Sequence, residues 1–213
     1  MRQASRSIPL LLSCFTLASA GACAPKVPCP PDMALIPGSK VCIDRYEAAL
    51  EGGVAGENDG KGMTAKAVSK AGVLPAVQVS QLQAKAACAN AGKRLCSKAE
   101  WMLACQGAEK RAFPYGGAKW VPERCADRAL TEKLNSTKPQ PTGSLSGCRT
   151  PEGVFDLSGN VWEWLADTGP DGNPAVLIGG GFGNDSNLSC APHEPFGQPV
   201  TQQGEAMGFR CCR

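Results

Sequence analysis

Cysteine is the residue type that most constrains how this chain folds. The 213 residues include 12 cysteines; Cys14 and Cys23 lie in the N-terminal segment, and the other ten follow. An even number of cysteines in an exported chain predicts up to five disulfides, each worth about 2 to 4 kcal/mol. The ten candidates are Cys29, Cys42, Cys88, Cys96, Cys105, Cys125, Cys148, Cys190, Cys211 and Cys212.

A zinc site is the alternative use of so many cysteines, and the sequence disfavours it. No two cysteines are spaced as C-x-x-C, and the chain has one histidine. Structural zinc sites are commonly built from such pairs. Disulfides are therefore expected, and the spacing leaves their pairing open.

The first 22 residues have the pattern of an export signal. Arg2 and Arg6 precede the apolar run "IPLLLSCFTLASAGA", which is too short to span a bilayer permanently. Small residues end the run, and Cys23 stands where the signal of a bacterial lipoprotein is cleaved and acylated. We expect a signal peptide over 1–22 and a lipid anchor on Cys23, which places the protein in the periplasm or on the outer membrane. Secretion without an anchor is the alternative, because Ala20 replaces the usual leucine.

The charge balance limits the classes of partner. The chain has a formal net charge of +3, and residues 1–22 contain two arginines and no acid, so the remainder carries about +1. A nearly neutral chain without a block of like charge is not typical of nucleic-acid-binding proteins. We expect a polypeptide or a small ligand as partner, and membrane contact only through the lipid anchor.

Composition and the order of segments indicate one domain. Hydrophobic residues make up 43% of the chain, while 25 glycines and 17 prolines favour a fold rich in loops. The proline-rich stretch "APKVPCPPD" predicts a tether over 23–32, and the folded domain then covers 33–213. Residues 51–72 are predicted to form an exposed loop, and residues 113–150 mostly irregular chain.

Two helices and several short strands are predicted within that domain. Ser80 has the character of a helix N-cap, and Gly92 is the expected stop of that helix. Ser97 and Glu100 form a capping box for a second helix, which ends at Gly107. The segment "MALIPGSKVCIDRYEA" predicts a hairpin, and "AVLIGGGF" and "AMGFRCC" each predict a short strand.

Five motifs follow one another along the domain. They are "PAVQVSQLQAKAACANAGKRLCSKAEW", "FPYG", "GVFDLSGNVWEW", "LIGGGF" and "GFRCC". Their order resembles the sulfatase-modifying factor family, whose founding member is the formylglycine-generating enzyme, over about residues 33–213. The resemblance implies an α+β fold: the formylglycine-generating-enzyme variant of the C-type-lectin-like fold, with little regular secondary structure.

The resemblance also implies an activity, the O₂-dependent oxidation of a cysteine in a substrate polypeptide to formylglycine. The family enzyme holds Cu(I) between two cysteine thiolates five residues apart, and soft thiolates are the ligands that Cu(I) prefers. Cys190 matches the second cysteine, but Asp185 stands five residues earlier. Cys211 and Cys212 are candidate disulfide partners for Cys190, and such a bond would leave no thiolate.

Two functions remain. We expect a non-catalytic binding or scaffold module at the cell envelope, without copper. The alternative is a metal-dependent oxidase that converts a substrate cysteine to formylglycine, or performs a related oxidation, with Cys190 as its catalytic residue. An iron site would have only His193, Glu194 and Asp185 as ligands, so we expect a solvated loop there instead.

The stretch "DLSGNVWEW", from Asp156 to Trp164, has two interpretations. The family binds structural calcium at this loop, and calcium takes about six to eight oxygen ligands. Carried over to this sequence, the ligands are the side chains of Asp156 and Glu163 and the carbonyls of Leu157, Gly159 and Val161. In the alternative, Asp156 caps the turn, Trp162 and Trp164 are core residues, and Glu163 pairs with a cation such as Arg210.

A group of polar and aromatic residues around the second helix is given a structural role. Glu100 caps the helix, and Trp101 lies on its apolar face. Lys93 and Arg94 are expected to be solvated or ion-paired.

Overall fold

The computed structural model describes residues 29–51, 63–169, 171–185, 188–190 and 196–213. The predicted signal peptide over 1–22, the lipidation site Cys23 and most of the tether lie outside these residues. In the described part of the chain, no helix is both long enough and apolar enough to cross a membrane.

The chain alternates short strands with three helices. The helices are α1 (Gln81–Asn90), α2 (Lys98–Gln106) and α3 (Arg128–Leu134). The strands are β1 (Met33–Leu35), β2 (Cys42–Asp44), β3 (Ala48–Leu50), β4 (Ala67–Ser69), β5 (Arg94–Leu95), β6 (Trp162–Thr168), β7 (Ala175–Ile178), β8 (Phe196–Gln198), β9 (Met207–Phe209) and β10 (Cys211–Cys212). This mixture of short strands and helices agrees with the α+β class predicted from the sequence.

Two four-stranded sheets organise the fold. The first has the order β1-β2-β10-β5 and is antiparallel, with Leu35 opposite Cys42 in the predicted hairpin. The second has the order β8-β7-β6-β9, in which β6 and β9 run parallel. The segment "AMGFRCC" thus forms two strands, one in each sheet, where the sequence predicted one.

Both predicted helices are confirmed, and both begin with a capping box. The Ser80 hydroxyl accepts a hydrogen bond from the Gln83 N–H, and the Gln83 side chain accepts one from the Ser80 N–H. Ser97 and Glu100 make the same pair of bonds at the start of α2. These reciprocal bonds satisfy N–H groups that have no partner inside the helix.

Three regular elements were not predicted from the sequence, and one of them, β4, corrects the expectation of a loop over 51–72. Helix α3 lies within 113–150, where the Asp127 side chain caps it by accepting from the Leu130 N–H at 2.9 Å. Strand β4 lies within the predicted loop 51–72 and pairs with β3. Strand β6 continues directly from the turn of "SGNVWEW". These elements are three to seven residues long, too short to show a periodic pattern.

Strand β6 separates two clusters of core residues. Successive side chains of a strand point to opposite faces, so Trp164 and Leu165 enter different clusters. Leu165 packs in the first cluster with Trp101, and Trp164 packs in the second with Phe209. Both tryptophans are fully buried. The motif that identifies the family in the sequence therefore supplies the centre of the fold.

The disulfide framework is confirmed, with five bonds among the ten candidate cysteines. The pairs are Cys29–Cys42, Cys88–Cys211, Cys96–Cys212, Cys105–Cys190 and Cys125–Cys148. Cys211 and Cys212 are adjacent in β10, so their side chains point to opposite faces of the sheet. Cys211 therefore reaches Cys88 in α1, and Cys212 reaches Cys96 after β5.

Candidate functional site

Cys190, the residue that matches a catalytic cysteine of the family, forms a disulfide with Cys105 in α2. Its side chain is fully buried. Its N–H donates to the Ala112 carbonyl at 2.8 Å, and its carbonyl accepts from Gln106 Nε2 at 2.7 Å. Backbone and side chain together fix Cys190 against the end of α2.

The expected disulfide partners of Cys190 were wrong. Cys211 and Cys212 are bonded to Cys88 and Cys96 instead. The physical reason is the position of β10, which lies between β2 and β5 in the first sheet, whereas Cys190 lies beside α2. In either pairing the sulfur of Cys190 is oxidised and no thiolate remains.

Asp185 occupies the position of the missing cysteine and lies at the surface. Its carboxylate lies 3.4 Å from Arg128 Nη1, and both side chains are about half exposed. His193 and Glu194, the other members of the incomplete iron set, lie outside the described residues. Within the part of the chain that the structure describes, no three His, Cys, Asp or Glu side chains are grouped to hold a metal. Asp185 and the disulfide-bonded Cys190 do not offer the two thiolates that Cu(I) prefers.

The turn in "SGNVWEW" depends on one glycine and one asparagine. A Cβ on Gly159, whose φ is +78°, would lie 2.3 Å from the Ala126 carbonyl oxygen, so only glycine fits. Asn160 is also left-handed, with φ of 60°. Its amide accepts from the Gln140 N–H at 2.8 Å and donates to the carboxylate of Glu47. These bonds hold the left-handed backbone in place.

Glu163 is bound by cationic and neutral N–H donors. Arg210 Nε and Nη2 donate to its two carboxylate oxygens, each at 2.7 Å. The indole N–H of Trp101 donates to one of the same oxygens at 2.8 Å. This bidentate pair is the contact that the alternative interpretation of the motif expected for Glu163.

Three carboxylates gather around the single guanidinium of Arg210 in the interior. Glu47, Asp156, Glu163 and Arg210 are all at least 96% buried. Burial, and then the negative charges of Asp156 and Glu163, raise the pKa of Glu47 well above its ordinary value. Burial raises the pKa of Asp156 to about 7, against the opposing effects of the Gly143 N–H and of Arg210. The cluster therefore retains a proton near neutral pH.

Glu47 is the member of this cluster that sequence reasoning missed. It lies three positions after the end of β2. Its carboxylate reaches the turn of "SGNVWEW", where it accepts a hydrogen bond from the Val161 N–H at 3.0 Å. No local pattern distinguishes it from an exposed glutamate. Only a buried partner more than 100 residues away gives it its role.

The calcium interpretation requires oxygen lone pairs that face a common ion. Both oxygens of Glu163 instead accept N–H donors from Arg210 and Trp101. One oxygen of Asp156 accepts from the Gly143 N–H at 2.7 Å. A guanidinium beside the expected ligands also repels a divalent cation. The side chains of Asp156 and Glu163 therefore do not fit a calcium ion, and the carbonyls of Leu157, Gly159 and Val161 are too few to complete a site without them.

A chelator tests this conclusion. Calcium bound only by the folded protein would raise the melting temperature, and its removal would lower it. We expect EDTA to leave the melting temperature unchanged, and added calcium to leave it unchanged as well. A fall with EDTA that excess calcium reverses would restore the calcium site.

The polar group near α2 has the structural role that the sequence predicted. Lys93 Nζ lies 2.6 Å from Asp44 and 3.0 Å from Asp32. Arg94 pairs with Glu100 at 2.6 Å. Lys93 thus neutralises a buried carboxylate at the end of β2. Both Lys93 and Arg94 are ion-paired, as the sequence predicted.

The raised pKa of Asp156 predicts an unusual pH dependence of stability. Its pKa is about 7 in the folded protein and 3.8 in the free side chain. The folded state therefore binds a proton that the unfolded chain releases, and stability falls as the pH rises from about 4 to about 8. The loss is on the order of a few kcal/mol. Glu47 acts in the same direction.

Urea unfolding at about pH 5 and about pH 8 measures this effect. Asp156→Asn cannot lose a proton, so the difference between the two pH values is expected to shrink. Glu152→Gln is the control, because the pKa of Glu152 is lowered and its side chain is partly exposed. A stability that rises from pH 5 to pH 8, or one that Asp156→Asn leaves unaltered, would contradict the prediction.

Comparisons with known proteins agree with this fold. The model of the family described as "Sulfatase-modifying factor enzyme 1-like domain" matches residues 39–213. The mouse protein "Inactive C-alpha-formylglycine-generating enzyme 2" is 30% identical over 159 residues, which are 65% of this chain and 48% of that protein. The mouse "Formylglycine-generating enzyme" is 31% identical over 104 residues, 44% of this chain and 27% of that protein. The chain thus spans about half the length, or less, of the curated relatives it matches.

A solved structure shows the same architecture. PvdO from Pseudomonas aeruginosa superposes with a TM-score of 0.58 at 21% identity, covering 81% of this chain and 80% of that one. Because the family model matches most of the chain, the chain belongs to the family of sulfatase-modifying factor enzyme 1-like domains.

Proposed function

We propose that this chain is a non-catalytic binding module that acts outside the cytoplasm. The observation that carries the proposal is the disulfide between Cys190 and Cys105. It occupies the one cysteine that could have served as a copper ligand of the family type. The fold is retained while the metal-binding chemistry is absent from the described residues.

The chemistry of the family needs two thiolates, and this chain has neither in place. Cys190 would have to be reduced by two electrons before it could bind Cu(I) or exchange with a substrate thiol. The second position holds Asp185, a hard ligand that pairs with Arg128. A carboxylate in place of a thiolate disfavours Cu(I) even if the disulfide opens.

Two further observations support the proposed location and role. Five disulfides favour an oxidising compartment, since cytosolic thiols are kept reduced. One curated relative carries the word "inactive" in its name, so a member of this family without the activity has a precedent. The export signal over 1–22 and the lipid anchor on Cys23 belong to this proposal, with the periplasm or the outer membrane as the location.

A thiol map tests the proposal. The protein is unfolded without reductant, alkylated and digested, and we expect none of the ten cysteines from Cys29 to Cys212 to be labelled. Cys105→Ala is the positive control, because it frees Cys190. Cys125→Ala is the matched control, because it frees Cys148, which does not correspond to a catalytic cysteine of the family.

An activity assay completes the test. The protein is incubated with Cu(I), O₂ and a cysteine-containing peptide, and no aldehyde is expected. If Cys190 is alkylated in the unmodified protein and the protein binds one Cu(I), the binding-module proposal fails and the oxidase function replaces it.

A further inference from the structure

An arginine-rich surface surrounds one hairpin, formed by residues 147–155. The Thr150 N–H donates to the Val154 carbonyl at 2.9 Å, and Arg149 pairs with Phe155 across the hairpin. The disulfide of Cys148 anchors its first strand. The hairpin is therefore a fixed platform rather than a free loop.

Arg124 lies against this hairpin. Its Nε donates to the Gly147 carbonyl at 3.1 Å. Its guanidinium lies 5.0 Å from the centre of the Tyr115 ring, which is stacked on Phe113. The side chain is exposed. A cation held this way presents its remaining N–H donors to solvent.

Arg149, two residues beyond Gly147, is exposed and also lies against an aromatic ring. Its guanidinium lies 5.9 Å from the ring centre of Phe155, which is stacked on Tyr46. Arg45 completes the group, because its Nη1 donates to the carbonyls of Glu152 and Gly153 at 3.1 Å each. Three arginines thus converge on one hairpin.

None of these three arginines forms an ion pair with a carboxylate of the described residues. The nearby acids are already used. Glu152 pairs with Arg111 at 3.0 Å, and Glu123 pairs with Lys133. The remainder of the chain after residue 22 carries only about +1, so three unpaired cations around one hairpin are a concentrated positive surface.

We propose that this surface, formed by Arg45, Arg124 and Arg149, binds an acidic segment of a partner polypeptide. The inference rests on the proposed function in taking the chain to be a binding module. A guanidinium presents paired N–H donors that match the two oxygens of a carboxylate. Two exposed guanidiniums at one hairpin can each bind a carboxylate of the same acidic segment.

The aromatic rings of the surface argue against other anionic ligands. Nucleic-acid bases bind by stacking on free aromatic faces. Here Tyr115 contacts Phe113 and Arg124, while Phe155 contacts Tyr46 and Arg149. The rings support the guanidiniums and are not offered to a ligand. Recognition is left to charge and hydrogen bonding, which an acidic peptide provides.

Fluorescence anisotropy with the full chain tests this proposal. The probe is a labelled peptide of about ten alternating Glu and Ser residues, compared with the same peptide carrying Gln. We expect binding of the Glu peptide that weakens as salt is added, and no binding of the Gln peptide. Arg124→Gln with Arg149→Gln should weaken binding about tenfold or more, since each loses a charge-assisted hydrogen bond.

Matched variants separate this surface from general charge. Lys66→Gln with Lys85→Gln removes the same charge from exposed positions, one just before β4 and one on α1, and should change affinity by less than about twofold. Arg124→Lys with Arg149→Lys keeps the charge, loses the planar donor pair and should give an intermediate affinity. If replacing the two lysines by glutamine weakens binding as much as replacing the two arginines does, the proposal is overturned.

Other outcomes also overturn it. Absence of binding, equal binding of the Gln peptide, or binding of heparin or single-stranded RNA without binding of the Glu peptide would each reject an acidic polypeptide as the ligand. The proposed function is judged separately by the thiol map. If all ten cysteines are bonded and the Glu peptide does not bind, the binding module stands and only this partner class fails.

Discussion

Replacement of Arg210 by methionine is expected to lower the free energy of unfolding by about 3 to 5 kcal/mol. Arg210 is fully buried and donates two hydrogen bonds to Glu163. It is also the cation that faces Glu47 and Asp156. Without it, three buried carboxylates face one another, and the protein must either bind more protons or unfold. Urea unfolding at neutral pH measures the loss.

The pH separates this explanation from a simple packing defect. Acidification protonates the carboxylates that Arg210→Met leaves unpaired, so the variant should recover part of its stability near pH 5. Arg210→Met combined with Glu163→Gln should be more stable than Arg210→Met alone, since one uncompensated charge is removed. Arg94→Met is the control, because Arg94 is about half exposed and should lose less than about 1 kcal/mol. A loss in Arg210→Met that does not vary with pH would refute the charge argument.

Removal of both disulfides of β10 is expected to cost more than twice the cost of removing either one. Cys88–Cys211 and Cys96–Cys212 join residues 123 and 116 positions apart, and the two loops overlap over almost their whole length. If one bond is removed, the other still closes the large loop, and only a small loop of about nine residues opens. The unfolded chain regains conformational entropy when a bond is removed. This gain lowers the free energy of unfolding by about 2 to 3 kcal/mol for either single removal and by about 7 kcal/mol for both.

Alanine pairs measure this cooperation. The variants are Cys88→Ala with Cys211→Ala, Cys96→Ala with Cys212→Ala, and all four changes together, compared by urea unfolding in a double-mutant cycle. Cys29→Ala with Cys42→Ala is the control for a short loop, with a separation of 13 residues. If the four changes cost only the sum of the two pairs, the overlapping loops do not cooperate. Where the fourfold variant is unfolded in water, an added osmolyte brings the transition into range.

The helices could be predicted from the sequence because their signals are local. Ser97 and Glu100 are three residues apart, so the capping box is visible in four letters of sequence. The expected helix stops, Gly92 and Gly107, both have positive φ. Strand β10 could not be separated from β9 because only Arg210 lies between them, and the sheet that each strand joins depends on distant partners.

The candidate site was predictable only in part, for the same reason. Cys190 and Asp185 could be identified as an incomplete pair, since both belong to one short segment. The disulfide partner of Cys190 could not be identified, because Cys105 lies 85 residues earlier. Nothing in the sequence spacing favours Cys105 over the other cysteines. The sequence allowed Glu163 to be either a calcium ligand or the partner of a cation. The position of Arg210 in the folded chain distinguishes these two interpretations.

The position of β10 between β2 and β5 also has a kinetic consequence. Ile43 pairs with Cys212, and the Asp44 carbonyl accepts from Arg210 at 3.1 Å, so the first sheet joins segments more than 160 residues apart. A fold with such a high contact order forms slowly, because the entropy of closing a long loop is lost before the contacts are gained. We infer that the chain spends an extended period partly assembled, with unpaired strand edges and free thiols exposed together. The pairing of β10 with β2 and β5 therefore decides how long these strand edges stay exposed during folding.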